Sequence, residues 1–375
     1  MIDTNVSQQG RGELPKVELG RTGKSLTRYA LGGFHQVEIS SEIVEQVVDA
    51  YLSSGGNYIE TARSYGNGSS EEKIGRALQG RRDQVMLCSK TTAETADDAR
   101  RELEQSLDLL KTDHIEFYLL HCVKPEKLDR IAGKGGAAEG LAKAVDEGIL
   151  DGVGLSSHWV QVYLDAMERL DLSLILVWFS YLENLNYPII PERIVPEARG
   201  RGIGVAGMKP LSDGFLYRTV ENAIRYALAG TDVVVCGTNT VEHVEQVAAA
   251  VRKGPADQAL QQETLREAVD LGKYVCRRCA RCPVPLMETF RLEGVFDRQM
   301  IDLLPHDPAD LALRKVLSKW FAGSQQACEE FAASGWDVDA LLASAAEVRC
   351  PYRIDVPRKA RIATTKLTGQ PVGTL

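Results

Sequence analysis

Four side chains with acid–base chemistry follow successive β-rich runs of the sequence. Glu60 ends the run NYIE and Tyr65 lies five residues later, while Lys90 ends VMLCSK and His121 ends IEFYLLH. A phenol can protonate the oxyanion that forms when a hydride reaches a carbonyl carbon, and a neighbouring ammonium group favours release of that proton. The set predicts carbonyl reduction, with Tyr65 as general acid and Lys90 as its cation. Glu60 is expected to hold Lys90 by an ion pair, and His121 to orient the carbonyl oxygen.

A second group of reactive residues lies near the C-terminus. Cys276, Cys279 and Cys282 form a C-x-x-C-x-x-C pattern, whose spacing suits three corners of a cubane iron–sulfur cluster. Cys350, which precedes a proline, is the expected fourth ligand, and Cys328 is the alternative. Zinc is the rival metal because four thiolates also form structural zinc sites, although these more often use two separated C-x-x-C pairs. A helix cap without metal is the third interpretation.

The four acid–base residues need a scaffold that brings strand ends together. Between residues 29 and 252, eight β-rich runs alternate with amphipathic helical stretches. The runs cover 29–33, 57–60, 85–90, 115–121, 151–157, 174–180, 203–208 and 232–237. This repeat predicts an α/β fold of the (β/α)8 TIM-barrel type, in which residues beyond the strand C-termini face a common mouth. An open doubly wound sheet is the alternative, but no G-x-G-x-x-G follows the first run.

The rhythm of the sequence predicts three segments. Residues 1–16 are expected to be a flexible tail, 17–255 the barrel, and 256–375 a small, mainly helical, cysteine-rich domain. Within the barrel segment, residues 17–27 predict a hairpin that closes the barrel bottom. Thr240 is the expected N-cap of the last barrel helix.

Composition limits the classes of partner. The chain has 375 residues, a formal net charge of −8 and 44% hydrophobic residues. A mildly acidic globular chain is not expected to bind nucleic acid or an anionic membrane. No apolar run is long enough to span a bilayer and the first residues do not resemble a secretory signal, so we expect a cytoplasmic location. The sequence does not predict an oligomeric state.

From about residue 17 to 252 the chain resembles an aldo-keto reductase. The resemblance rests on LGRTGKSLTRYALGG, GGNYIETARSYGNGSSEEKIGRAL, VMLCSK, IEFYLLH, GILDGVGLSSH and GIGVAGMKPL, in that order. It implies that Tyr65, Lys90 and His121 occupy the proton donor, lysine and histidine positions of the family. The fourth position is normally the Asp of a D-T-A triplet, whereas this chain has Glu60 in ETA, which keeps the acid and adds one methylene.

The resemblance also implies NADP or NAD bound across the barrel mouth. Ser156 and Ser157 match the Ser-Asn pair that holds the nicotinamide amide, Trp178 takes the place of a glutamine, and Met208 that of an aromatic stacker. Asn239 stands where a basic residue commonly reads the 2′-phosphate, so the choice between NAD and NADP stays open. The other implied cofactor-binding residues are Lys209, Pro210 and Leu211 at the diphosphate, Gly237 and Thr238 at the adenosine, and Gly33, Glu245 and Gln246.

The C-terminal part resembles the branch of aldo-keto reductases that carries a 4Fe–4S ferredoxin-like domain. CRRCARCP, CPYRIDVP and the M-K-P-L segment carry this resemblance. It implies one 4Fe–4S cluster, which either staples the domain or exchanges electrons with the barrel or an electron-transfer partner.

The leading functional prediction is an NAD(P)-dependent oxidoreductase. Its expected substrate is a small aldehyde or ketone, or a sugar-like alcohol in the oxidative direction. The alternatives are a lyase or epimerase without an exchanging cofactor, suggested by Glu60, Trp178 and Leu182, and a non-catalytic redox-sensing module. Specificity is expected to come from loops such as 122–136 and 182–192.

Overall fold

The computed structural model describes residues 13–212, 216, 219–264, 281–297, 323–351 and 354–369. Two of the predicted cluster ligands, Cys276 and Cys279, lie outside these residues.

Ten strands are assigned within the described residues. The strands are β1 (Lys16–Glu18), β2 (Ser25–Thr27), β3 (Tyr29–Gly32), β4 (Tyr58–Glu60), β5 (Met86–Thr91), β6 (Ile115–Leu120), β7 (Leu150–Ser156), β8 (Leu174–Trp178), β9 (Gly204–Met208) and β10 (Val233–Gly237).

Helices follow the barrel strands and form the C-terminal part of the described chain. The α-helices are α1 (Ser41–Ser53), α2 (Ser69–Ala77), α3 (Ala96–Leu110), α4 (Pro125–Ala132), α5 (Ala137–Asp146), α6 (Gln161–Arg169), α7 (Tyr181–Asn186), α8 (Val195–Gly200), α9 (Val220–Gly230), α10 (Val241–Arg252), α11 (Val284–Asp297), α12 (Gly323–Ala333), α13 (Val338–Glu347) and α14 (Val356–Thr368). Short 3-10 helices cover Phe34–Gln36, Tyr65–Gly68 and Arg82–Gln84, and a π-helix covers Ile190–Ile194.

The strands β3 to β10 form a closed parallel barrel. They are hydrogen-bonded in the order β10-β3-β4-β5-β6-β7-β8-β9. The parallel ladders run in simple sequence order, and β10 closes onto β3 with Val234 opposite Tyr29. Each predicted β-rich run overlaps one barrel strand, so the predicted (β/α)8 fold is confirmed. Strands of this kind are apolar on both faces because helices cover the outer surface and side chains fill the interior.

The barrel interior is closed below by the N-terminal hairpin. Strands β1 and β2 pair antiparallel, and Leu19 and Leu26 from the hairpin are fully buried among the interior side chains. The chain passes close to β9 there, because a Cβ on Gly20, which has φ +50°, would lie 2.4 Å from the amide nitrogen of Gly204. The predicted bottom-closing hairpin is therefore present.

The predicted flexible tail, residues 1–16, includes four residues that are folded in the structure. Leu14 is only 2% exposed and packs in the main hydrophobic core, Pro15 accepts a hydrogen bond from Arg28 N at 2.8 Å, and Lys16 begins β1. Burial of the apolar Leu14 side chain stabilises the folded state, and an exposed tail would not provide that burial. Residues 13–16 thus belong to the folded barrel.

The last barrel helix begins as its sequence predicts. Thr240 precedes α10 in an extended conformation, and its hydroxyl accepts a hydrogen bond from His243 N at 3.2 Å. After α10 the chain still contacts the barrel, because Ala256 N donates to Arg225 O at 2.8 Å. The division of the chain at residue 255 remains a prediction.

The C-terminal helices α11 to α14 share a second hydrophobic cluster. Its fully buried members come from all four helices and from Ile354. Cys282, Cys328 and Cys350 are partly buried against this same cluster. No helix of the described ranges has the length and apolar character needed to cross a lipid bilayer.

Candidate active site

The four acid–base residues meet at the C-terminal end of the barrel. Glu60 is the last residue of β4, Lys90 lies one residue before the end of β5, and His121 directly follows β6. Tyr65 begins the short 3-10 helix between β4 and α2. All four are buried, with exposed fractions between 1% and 8%. Because β4, β5 and β6 are neighbours in the barrel, residues at these ends converge.

Lys90 is the centre of this group. Its ammonium group forms a buried ion pair with Glu60 and donates a hydrogen bond to Thr61 O at 2.7 Å. The same Nζ donates to Tyr65 Oη at 3.0 Å and lies 4.5 Å from the centroid of the tyrosine ring. The predicted Glu60–Lys90 ion pair is present, so the longer acid reaches the lysine.

Burial sets the protonation states in this group. It lowers the pKa of Lys90 well below its ordinary value, and the Glu60 carboxylate opposes this shift because it stabilises the ammonium form. Burial also raises the pKa of Tyr65 well above its ordinary value, and the thiols of Cys122 and Cys88 act in the same direction. The expected lowering of the Tyr65 pKa is therefore outweighed by burial. The phenol keeps its proton at neutral pH, which is the form that a general acid needs.

His121 completes the catalytic side of the mouth. Its Nδ1 shares a 3.2 Å hydrogen bond with the hydroxyl of Ser64, and its ring lies 5.6 Å from that of Tyr65. Burial lowers the pKa of His121 well below its ordinary value, and the charges of Lys90 and His158 add to this shift. The imidazole is therefore neutral at pH 7.

The predicted nicotinamide side differs from expectation at Ser157. Its hydroxyl donates to Val123 O at 2.7 Å and accepts from Trp159 N at 2.9 Å. The single hydroxyl hydrogen is thus engaged by the loop after β6, and the nicotinamide-binding role of Ser157 stays a prediction. Ser156, by contrast, uses its oxygen only as an acceptor, from Cys122 N at 3.4 Å.

Trp178 stands in an aromatic environment. It is the last residue of β8 and pairs with Met208 at the end of β9. Its ring lies 5.0 Å from that of His158 and 5.8 Å from that of Tyr187, and Lys209 Nζ lies 5.3 Å from its centroid. The indole ring of Trp178 therefore stands where the resemblance implies the side-chain amide of a glutamine.

The segment after β9 makes a tight turn. Lys209 has φ 56° and its carbonyl accepts from Ser212 N at 2.9 Å, while Ser212 shares a 2.5 Å hydrogen bond with Ser180. Pro210 is buried in this turn and Leu211 packs partly on the core.

The predicted adenosine end lies between β10 and α10. The hydroxyl of Thr238 shares a 3.2 Å hydrogen bond with Tyr29 Oη, and its carbonyl accepts from Gln36 Nε2 at 2.7 Å. Asn239 Oδ1 lies 2.9 Å from His243 Nδ1, on the first turn of the helix. Gly237 is half-buried beside His35, and Glu245 and Gln246 are exposed on α10.

Gly33 has a packing reason to be glycine. Its N–H donates to Glu60 O at 2.6 Å, and a Cβ there would lie 2.8 Å from that oxygen and 2.9 Å from Ser70 Oγ. This close approach holds the loop after β3 against the strand that carries Glu60.

The cysteine cluster is only partly within the described residues. No group of three or more His, Cys, Asp or Glu side chains in these ranges could hold a metal ion, and two predicted ligands lie outside them. Cys328 Sγ donates to Lys366 O at 3.7 Å, which gives this thiol a structural contact between α12 and α14.

The structure adds residues that sequence reasoning did not assign. Ser64 directly precedes Tyr65, and Phe34 packs edge-on against the Tyr65 ring with centroids 5.1 Å apart. His158 ends the quoted segment GLSSH, and Lys124 lies in the loop 122–136. Adjacency in sequence could have suggested Ser64, but the others depend on contacts between different strand ends.

Comparison with known proteins identifies the family. The model of the Aldo/keto reductase family matches residues 29–222, which is more than half of the chain. The chain is similar to the uncharacterized oxidoreductase YrpG of Bacillus subtilis, with 30% identity over 53% of this chain and 67% of that protein. It is also similar to the aldo-keto reductase YhdN of the same organism, with 32% identity over 39% of this chain and 45% of YhdN. L-galactose dehydrogenase of Arabidopsis thaliana is 22% identical over 68% of this chain and 94% of its own length.

Solved structures share the fold. The aldo-keto reductase AKR11C1 from Bacillus halodurans in its holo form aligns with a TM-score of 0.60 and 21% identity, covering 68% of this chain and 96% of that one. An aldo-keto reductase from Klebsiella pneumoniae in complex with NADPH aligns with a TM-score of 0.55 and 24% identity, covering 66% of this chain and 93% of that one. The family match, the closed barrel and the convergence of Tyr65 with Lys90 lead to one conclusion. The chain belongs to the aldo/keto reductase family of oxidoreductases.

Proposed function

We propose that the protein reduces an aldehyde or ketone with a nicotinamide cofactor, or oxidises a sugar-like alcohol in the reverse direction. One observation carries the proposal: Lys90 Nζ lies 3.0 Å from Tyr65 Oη while it is ion-paired to Glu60. A protonated phenol beside a fixed ammonium group is suited to proton transfer to a developing alkoxide.

Each side chain has a distinct part in this proposal. Tyr65 gives its proton to the carbonyl oxygen, and Lys90 stabilises the phenolate that remains. Glu60 keeps Lys90 charged and oriented. With the Ser64 hydroxyl donating to Nδ1, neutral His121 carries its hydrogen on Nε2, from which it can donate to the carbonyl oxygen.

The residues of the mouth fit a nicotinamide dinucleotide at its phosphate end. Lys209, at the tight turn after β9, supplies a cation for the diphosphate, and the start of α10 beside Thr238 and Asn239 supplies backbone N–H groups for an anion. When bound, the nicotinamide supplies the hydride that the reduction consumes. Ser156 and the rings around Trp178 would hold the nicotinamide end in place of a full amide-binding set. NADPH is the first cofactor to test, because a related Klebsiella structure is a complex with NADPH.

We further propose that Cys276, Cys279, Cys282 and Cys350 hold one 4Fe–4S cluster. Support comes from the partial burial of Cys282 and Cys350 against one hydrophobic cluster, and from the structural contact that engages Cys328. Thiolates are the ligands that such clusters require, and the cluster would supply either a covalent staple or a site for one electron.

Substitution of Tyr65 tests the proposed reduction. Tyr65→Phe should lower the kcat/KM of NADPH-dependent reduction of an aldehyde by at least about 10²-fold, since a general acid is typically worth that factor or more. NADPH binding, followed by fluorescence titration, should be unchanged. Glu60→Asp shortens the acidic side chain by one methylene. A change in kcat/KM for this variant would show that the longer side chain of Glu60 matters for the rate.

Tyr118→Phe is the matched control. It also removes a buried hydroxyl, but one that bonds Ser106 Oγ at 2.8 Å on the helix side of β6, so turnover should stay near that of the unmodified protein. Equal turnover of Tyr65→Phe and the unmodified protein would contradict the role of Tyr65. Failure of both NADPH and NADH to bind would contradict the reductase proposal and favour the lyase or epimerase alternative.

A further inference from the structure

We propose that Lys124 makes the enzyme selective for carbonyl substrates that carry an anionic group, such as a carboxylate. The inference rests on the proposed reductase function and names the substrate class of the same site.

The mouth of the barrel has two neighbouring arcs of different chemistry. Glu60, Lys90 and His121 follow β4, β5 and β6 and form the catalytic arc. The other arc follows β6, β7, β8 and β9, which are also consecutive in the barrel. Its residues are Lys124, His158 and Trp159, Trp178, and Lys209.

The second arc is a series of rings with a lysine at each end. Lys124 Nζ lies 5.3 Å from the centroid of the Trp159 ring, and this ring stacks on His158 at 6.5 Å with an angle of 23° between the planes. His158 then contacts Trp178, over which Lys209 lies. Cation–π contacts hold an ammonium group in place without neutralising its charge.

The backbone that carries Lys124 is tied to the end of β7. Val123 N donates to Ser156 O at 3.1 Å, and the Ser157 hydroxyl donates to Val123 O. Cys122, which lies between His121 and Val123, has φ 51° and turns the chain out of β6. The position of Lys124 relative to His121 is thus set by hydrogen bonds rather than by a free loop.

Lys124 acts electrostatically on the catalytic side of the mouth. Burial raises the pKa of the Cys122 thiol, and the charges of Lys90, Lys209 and Lys124 all oppose that shift. All three ammonium groups therefore act on the thiol of the residue next to His121. The charge of His158 acts in a similar way on the pKa of His121, and the two residues follow the neighbouring strands β7 and β6.

The charge of Lys124 has no acidic partner among the residues that the structure describes. Lys90 is paired with Glu60, and Lys209 is assigned to the cofactor diphosphate in the proposed function. Among the described residues, no carboxylate lies within ion-pair distance of Lys124, whereas Lys127, in the first turn of the helix α4 that follows it, pairs with Glu94 at 2.6 Å. An anionic group on the substrate would supply the missing charge, and the Trp159 and His158 rings would cover a flat body between that group and the carbonyl.

Three aromatic aldehydes with the same reacting group test this inference. They are 4-carboxybenzaldehyde, 4-formylphenyl phosphate and the neutral methyl 4-formylbenzoate, each reduced with saturating NADPH. We expect the unmodified enzyme to prefer an anionic aldehyde over the ester by at least about tenfold in kcat/KM, the size of one charge-assisted hydrogen bond. The relative rates of the two anions distinguish a carboxylate from a phosphate preference.

Lys124→Gln should reduce this preference to about one, through a higher KM for the anions and an unchanged kcat for the ester. Lys124→Arg should keep most of the preference, and added salt should weaken it in the unmodified enzyme. Lys127→Gln is the matched control, and its preference should stay unchanged because Lys127 is already paired.

The outcomes separate the two proposals. Two results would overturn the anion inference and leave the reductase proposal standing. In the first, the ester is reduced but the anions are not preferred. In the second, Lys124→Gln lowers kcat/KM equally for all three substrates. If none of the three aldehydes is reduced although NADPH binds, the reductase proposal fails for this class and the inference fails with it.

Discussion

The chemistry of the site depends on how a charged lysine is kept inside the barrel. The Lys90 side chain is 0% exposed and that of Glu60 is 5% exposed. A buried ion pair is stable only when both partners keep further hydrogen bonds, and Lys90 has these from Thr61 O and Tyr65 Oη. Replacing the usual aspartate by Glu60 therefore preserves the pair. The extra methylene of Glu60 changes how its carboxylate approaches Lys90, but the ion pair is still formed.

A second buried acid gives a pH-dependent prediction. Glu71 in α2 is fully buried and accepts a hydrogen bond from Ser89 Oγ at 2.5 Å through Oε1, while its Oε2 forms no hydrogen bond to any residue in the described ranges. Burial raises its pKa above the ordinary value of 4.5. The folded state thus binds a proton that the unfolded state releases, and this contribution to stability is lost as pH rises through the folded pKa.

Glu71→Gln removes this titration. The unmodified protein should lose stability from pH 5 to pH 8 and the variant should not, so the free energy of unfolding of the variant minus that of the unmodified protein should increase over this range. Urea unfolding at both pH values measures the difference. A difference that does not increase with pH would mean that the pKa of Glu71 is not raised in the fold, and that the hydrogen bonds of the carboxylate and the charge of Arg63 outweigh burial.

At the scale of elements, helix α2 fixes the loop after β3. Lys73 Nζ in α2 donates to three carbonyl oxygens of that loop, those of Gln36 at 3.1 Å, Val37 at 3.0 Å and Ile39 at 2.7 Å. The loop carries Phe34, which packs on Tyr65, and Gln36, which bonds Thr238. One lysine thereby links the loop that packs on Tyr65, the predicted proton donor, to the predicted adenosine end.

Lys73→Met should lower the free energy of unfolding by about 2–4 kcal/mol, because hydrogen bonds to a charged donor are lost and three carbonyl oxygens lose their partner. The KM for NADPH should also rise. Urea unfolding and steady-state kinetics measure the two effects. Lys134→Met, at an exposed lysine, is the control and should change the free energy by less than about 0.5 kcal/mol. Equal stability of the two variants would show that the loop holds its shape without Lys73.

At the scale of the whole molecule, the C-terminal helices of the described chain have a hydrophobic cluster separate from those of the barrel. The barrel has its own core, and helices α11 to α14 bury their apolar side chains against one another. Cys282 and Cys350 lie far apart in sequence but pack on the same helical cluster. A cluster that joins them would close a long segment of chain and reduce the entropy of the unfolded state.

This arrangement predicts a metal dependence. Protein purified without oxygen should be brown and contain about four iron atoms per chain, as one cubane cluster requires. Cys350→Ala should lose the colour and the iron, whereas Cys328→Ala, which removes only the contact to Lys366 O, should keep both. Iron analysis and visible absorption measure the outcome.

Two results would contradict this prediction, one concerning the metal and the other the fourth ligand. One zinc and no iron would leave the stapling role and exclude electron transfer through this site. Bleaching of Cys328→Ala and not of Cys350→Ala would move the fourth ligand to Cys328.

The amino-acid sequence by itself determined the barrel, its closing hairpin and the positions of Glu60, Tyr65, Lys90 and His121. These follow from local patterns, because strand ends are visible as short apolar runs and parallel strand ends must share one mouth. Even the Glu60–Lys90 pair follows from two adjacent strand ends. The N-terminal boundary did not follow, because the burial of Leu14 depends on the barrel surface that receives it.

Only the tertiary structure decided which side chains are engaged by other segments and where the lysine side chains lie. The hydroxyl of Ser157 is engaged by Val123, and Lys73 reaches three carbonyl groups of another loop. Lys124, which follows β6, lies over Trp159, which follows the next strand, β7. These contacts join segments that are distant in sequence, and their directions depend on rotamers and loop paths set by packing. Local sequence patterns do not encode such directions, so these contacts could be identified only from the fold.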